Sequence, residues 1–104
     1  MNEEALLFLL QKKKGLFLAI LDLTKTEYAL TPVELEKVLQ QKKILLACIE
    51  KIDHQIKDFR HAFVSVLPQD IQEELTHIRK VITQILKTDK LNYAHKKKEL
   101  GIYD

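Results

Sequence analysis

Between Leu35 and Val66 the apolar residues recur in steps of three and four: Leu35, Val38, Leu45, Ile49, Ile52, Ile56, Phe59, Phe63 and Val66, with one polar interruption at Lys42. That period collects them on one side of a helix, and its alternation predicts a coiled-coil-like seam. Leu39, Ile44, Leu46 and Cys48 widen the stripe in its first half. The widening predicts two neighbours there and one further along. The start is written at Leu30-Thr31-Pro32-Val33-Glu34-Leu35. Thr31 can accept from the backbone N–H of Glu34, and Glu34 can reach back to that of Thr31, which is a capping box. Pro32 at the first helical position loses no hydrogen bond, and it turns the chain before it away from α geometry. Pro68 predicts the end, so this helix is expected over residues 32–66 and should be the longest of the chain.

A helix over residues 3–29 precedes it, with a broad apolar face from Leu6 to Tyr28 weakened at Gly15 by about 1 kcal/mol relative to Ala. Gly15 suits either a close approach by a partner helix or a plain surface position. The connection to the next helix is so short that the two must lie antiparallel. After Pro68, Asp70 and Glu73-Glu74 put negative charge in a first helical turn, and Ile71, Leu75, Ile78, Ile82 and Ile85 carry the seam on. The following seam positions are polar, Asp89 and Asn92, and Lys96-Lys97-Lys98 and Gly101 come after them. A third helix is expected over 69–98, with 89–104 a mobile segment that orders against something else. The fold class that follows is all-α, one domain over 1–104, an antiparallel bundle of three long helices.

Composition narrows the function. The chain has 104 residues, 46% hydrophobic and 31% charged, with two Gly, two Pro and one Cys. So apolar a chain is not disordered, and so few turn residues do not suit a β-sandwich. A net charge of +2 from 17 basic and 15 acidic residues is too balanced to point to nucleic acid. The single Cys48 allows no internal disulfide. The acidic start Met1-Asn2-Glu3-Glu4 is unlike a secretory leader, and the longest apolar run, Leu16–Leu21, is too short to insert in a bilayer. A cytoplasmic location without membrane insertion is the expectation.

Candidate chemistry is sparse. His54 and His61 are seven residues apart, so their side chains do not meet, and His77 and His95 are more distant. Cys48 stands mid-helix among Leu46, Ala47 and Ile49, where a thiol is a small hydrophobe. No phosphate-cradling glycine loop or nucleophile elbow occurs. The runs Lys12-Lys13-Lys14 and Lys96-Lys97-Lys98 are read as solvated faces. No enzyme, metal site or cofactor is expected. The remaining feature is apolar surface in excess of what three helices can cover, which reads as a binding groove or a dimer face.

One resemblance bears on that surplus. The Leu6-Leu7-Phe8-Leu9-Leu10 start, the short link, and the stretch from Val33 to Leu46 with Lys43 before Leu45-Leu46 resemble the FlgN-type flagellar and type III export chaperones, as does a third helix with Asn92 late in it. The resemblance implies a cytoplasmic chaperone that binds the C-terminal helical segment of a hook-associated or other secreted protein, prevents premature assembly and delivers it to the export apparatus. It also implies a mobile C-terminal helix that supplies much of the substrate contact. With the fading of the seam past Ile85, this places partner contacts at Leu75, Ile78, Ile82, Ile85, Leu86, Leu91 and Tyr93. A second class of function is a structural coiled-coil subunit, with Ile52, Ile56, Phe59 and Phe63 forming a permanent homodimer or mixed bundle.

Overall fold

The computed structural model describes residues 3–59 and 67–99. Three helices make up most of them: α1 (Glu3–Thr26), α2 (Pro32–Lys57) and α3 (Gln69–Glu99), with a short 3-10 turn at Glu27–Ala29 after α1. Among the described residues there is no strand. The chain runs up, down and up. α3 lies beside α1 in the same direction, with Lys14 against Glu74 and Thr24 against Asn92, while α2 is antiparallel to both. This is the all-α three-helix bundle that the seams predict.

The corner between α1 and α2 forms as its residues dictate. Leu30 and Thr31 are extended (ψ 147° and 162°), the geometry that Pro32 imposes on what precedes it. The Glu34 N–H donates to Thr31 Oγ1 at 3.3 Å, and the Thr31 N–H donates to Glu34 Oε1 at 3.4 Å, so both halves of the capping box are made.

Several boundaries differ from expectation. Regular α1 stops at Thr26 and its last turn tightens, because the chain must leave the helix before Pro32. α2 ends at Lys57 rather than at 66. Asp58 and Phe59 form a turn in which the Phe59 N–H donates to the Ile56 carbonyl at 2.9 Å. Phe63 and Val66 lie outside the described residues. The longest helix is α3, with 31 residues against 26 for α2. Residues 89–99, expected to be mobile, continue α3 as regular helix, and residues 100–104 lie outside the described part.

α1 is the central rod. One core cluster joins Ile20 and Leu21 of α1, Ile49 of α2, and Val81 and Ile85 of α3. A second joins Leu6 and Leu10 to Ile71 and Ile78, and half-buried Phe17 packs against both. Two residues of the first lysine run tie the rods together. Lys13 pairs with Asp53 of α2 at 2.6 Å, and Lys14 pairs with the buried Glu74 of α3. The Lys14 ammonium straddles that carboxylate, 3.0 Å from Oε1 and 2.9 Å from Oε2. Only the Oε1 contact is a directed hydrogen bond, and Oε2 is met by charge alone. The reading of Lys12–Lys14 as a solvated face is thus corrected for Lys13 and Lys14.

Candidate functional site

α1 packs along both of its neighbours, whereas α2 and α3 scarcely approach each other. Three rods so placed occupy three corners of a four-helix cross-section, and the side between α2 and α3 stays open. An apolar line runs along each wall of that side. On α3, Leu75, Ile82, Leu86 and Tyr93 are separated by seven, four and seven residues, a spacing that keeps them on one line. On α2, Leu39 and Leu46 are likewise seven apart.

Four of these six are open to solvent: Leu39 (48%), Leu46 (50%), Leu86 (59%) and Tyr93 (67%). Leu75 and Ile82 are half-buried against the core beneath. The groove deepens at both ends. At the α1 N-terminal end a depression of about 480 Å³ is floored by Leu6 and Leu10 and walled by Ile56, Phe59 and Leu75. At the other end a smaller one of about 220 Å³ lies between Leu35 and Leu39 of α2 and Asp89, Asn92 and Tyr93 of α3.

Beneath the smaller depression the polar interruptions of the seams meet. Lys42 Nζ lies 3.2 Å and 3.4 Å from the two carboxylate oxygens of Glu27, and 3.7 Å from Asp89 Oδ1. The Asn92 amide donates to the Thr24 carbonyl at 2.8 Å and to Glu27 Oε2 at 3.3 Å. Thr24 and Glu27 are buried, and Thr24 returns its hydroxyl to the Ile20 carbonyl at 2.7 Å. One residue from α2, two from α3 and two from α1 and its terminal turn thus form a nearly closed polar network, and it fixes the register of all three rods.

The residues expected to contact a partner therefore separate. Leu75, Ile82, Leu86 and Tyr93 line the open groove. Ile78 and Ile85 do not: both are buried, and they hold α3 to α1. Leu91 is 71% exposed but stands two residues from Tyr93, which puts it on the far flank of α3. Of the expected dimer face, Ile52 is buried in the bundle, Ile56 and Phe59 are half-buried in the groove wall, and Phe63 lies outside the described residues. The first half of α2 meets α3 and the turn after α1 through Lys42, not through the apolar residues expected to give it two neighbours. Its extra apolar residues Leu39, Ile44 and Leu46 are exposed, and the buried positions of α2, Ile49 and Ile52, fall in its second half.

A third depression, of about 730 Å³, runs between α1 and α2 along Gly15, Leu16, Cys48 and Ile52, with Lys12 and Lys51 at its edge. Its two walls, α1 and α2, already pack against each other, so it is a furrow between contacting helices rather than a vacant corner. A Cβ on Gly15 would meet nothing within 4 Å. Cys48 is half-buried in the same furrow.

The histidines do not converge. His77 Nδ1 stands 3.6 Å from Glu74 Oε1, and His95 meets the ring of Tyr28 edge-on at 5.8 Å. His54 is exposed, and His61 lies outside the described residues. Among the described residues no three His, Cys, Asp or Glu side chains are placed to hold a metal ion, and no helix is long and apolar enough to cross a membrane. Thr24 and Glu27 escaped the sequence reading. The signal that could have found them was the set of seam interruptions at Lys42, Asp89 and Asn92, which call for polar partners. No protein-family model, curated protein or solved structure matches this chain, so the reading of the α2–α3 groove stands on its geometry.

Proposed function

We propose that this chain holds another protein by taking one of its amphipathic helices between α2 and α3, as the fourth member of a bundle. The observation that carries the reading is the vacant corner itself, lined at helical spacing by Leu39, Leu46, Leu86 and Tyr93, all exposed. A helix laid into an apolar groove buries side chains at intervals of three and four residues, which is the interval at which this groove presents them. Burial at ~25 cal/mol per Å², less the cost of ordering the partner, supplies the affinity. The likeness of Leu6–Leu10 and Val33–Leu46 to the FlgN-type chaperones supports a specific occupant, the C-terminal helical segment of a flagellar hook-associated or related secreted protein. Covering that segment would keep it from polymerising before export.

The test is a calorimetric titration of the purified chain with the C-terminal segments of the hook-associated proteins of its own organism. The double variant Leu39→Asp/Leu86→Asp changes two exposed positions, so its thermal unfolding should match the parent's. It should weaken binding roughly hundredfold, as two central apolar anchors do when lost. Binding undiminished in that variant would refute the groove. A concentration-independent dimer of the chain, with no affinity for any such segment, would favour a scaffold subunit instead.

A further inference from the structure

The charge of the chain is sorted along its length. From Leu75 to Lys98 there are seven basic residues, Arg79, Lys80, Lys87, Lys90 and the run Lys96–Lys98, and one acidic residue, Asp89. The chain as a whole holds 17 basic and 15 acidic residues, so acids outnumber bases everywhere else taken together. That lone acid is already turned toward Lys42. Arg79, Lys80, Lys87 and Lys90 make no ion pair with any described residue.

Three members of this set stand at a particular place. Arg79, Lys90 and Lys97 each follow a groove-lining residue by four positions, after Leu75, Leu86 and Tyr93. Four residues along a helix is one turn and about 40° of rotation, so the three form a row just outside the apolar line, along its outer lip. Lys97 shows the arrangement directly, its ammonium lying over the Tyr93 ring at 5.4 Å from the centroid. In helix pairs, charged residues flanking the apolar seam select the partner, by attraction to opposite charges and repulsion of like ones.

We infer that the helix held in the α2–α3 groove belongs to another protein and carries a row of carboxylates along the edge that meets α3. This rests on the groove reading above and adds the chemistry of the occupant. A second copy of this chain fits less well. Pairing α3 with α3 would set the basic rows against each other, and the α2 wall offers both signs (Glu36, Lys43, Glu50, Lys57) rather than an acidic row. A phosphate polymer would satisfy the basic row but leave Leu39, Leu46 and Leu86 uncovered.

The experiment uses the full chain and two synthetic three-heptad helices with the same leucine stripe, one flanked by glutamates and the other by lysines, followed by fluorescence anisotropy. The glutamate helix should bind roughly tenfold more tightly at low salt, as a few exposed charge pairs provide. The preference should shrink toward unity near ~1 M salt, where the screening length is about 3 Å. Arg79→Glu/Lys90→Glu should abolish or reverse the preference, and Leu39→Asp/Leu86→Asp should weaken both helices. Equal binding of the two helices to the parent chain would overturn the acidic partner and leave the groove reading intact. Binding of the glutamate helix that survives Leu39→Asp/Leu86→Asp would reveal attraction to a polyanion alone, and would overturn the inference. Binding of neither helix would remove the groove reading and the inference with it. A dimer of the parent chain dispersed by Leu39→Asp/Leu86→Asp would give the groove to a second copy and overturn the inference.

Discussion

Replacing Lys42 by Met would show whether the polar network at the end of the bundle is a structural lock. Met keeps the length of the lysine stem and its packing, so the change isolates the charge. The Lys42 and Glu27 side chains are only 14% and 10% exposed, and their separation is 3.2 Å. Solvent screens such a pair poorly. The contact with Asp89, at 3.7 Å and 47% exposed, adds little. Without Lys42 the Glu27 carboxylate stays buried, with Asn92 its one remaining donor in this network, at 3.3 Å.

Breaking a fully buried pair costs about 3–5 kcal/mol, and the partial exposure here brings the expectation to about 2–4 kcal/mol. For a domain of this size that corresponds to a fall in melting temperature of roughly 10–20 °C. Thermal and urea unfolding followed by far-UV circular dichroism would measure it. The double variant Glu27→Met/Lys42→Met removes both charges, and should recover to within about 1 kcal/mol of the parent, since an apolar pair replaces a buried ionic one at little cost. A single variant that loses less than about 0.5 kcal/mol, or a double variant as unstable as the single, would refute the lock.

Two further outcomes concern α1. Gly15→Ala should raise stability by up to about 1 kcal/mol, since the new methyl meets nothing within 4 Å and the helix gains a better former; a loss of stability in denaturant titrations would show that the glycine serves some internal contact. The Glu3 carboxyl, when protonated, can donate to that of Asp70 at the start of α3, and this, followed by desolvation and the nearby Asp70 and Glu4 charges, holds it above the ordinary value of 4.5. A proton bound more tightly in the folded state stabilises it at low pH, and that gain is lost as pH climbs through 4.5 and past the raised value. The stability difference between the parent and Glu3→Gln should therefore decline with rising pH over that window, and a difference that grows instead would contradict the assigned cause.

The seams told correctly which side of each helix faces inward, because a side-chain period depends only on local geometry. Leu6, Leu10, Ile49, Ile71 and Ile78 are core for that reason. They could not tell how the three rods sit around one another. An apolar residue on the edge of a stripe is buried or open according to whether a neighbouring helix stands beside it, and nothing local to Leu39 or Leu86 records that. The polar seam positions were misjudged on the same ground. Taken singly, Lys42 looked like one blemish, and Asp89 and Asn92 looked like the decay of a helix toward its end. Lys42 and Asn92 are a charge and an amide placed where burial would be costly unless a partner stood opposite, whereas Asp89 stays half exposed beside Lys42. Two such costs, in two helices whose turns were already placed by Pro32 and Pro68, are hard to sustain separately and easy to sustain together. They meet at Glu27 and Thr24, where Lys42 from α2 and Asn92 from α3 are both tied to the end of α1, one residue from Tyr93 on the open groove.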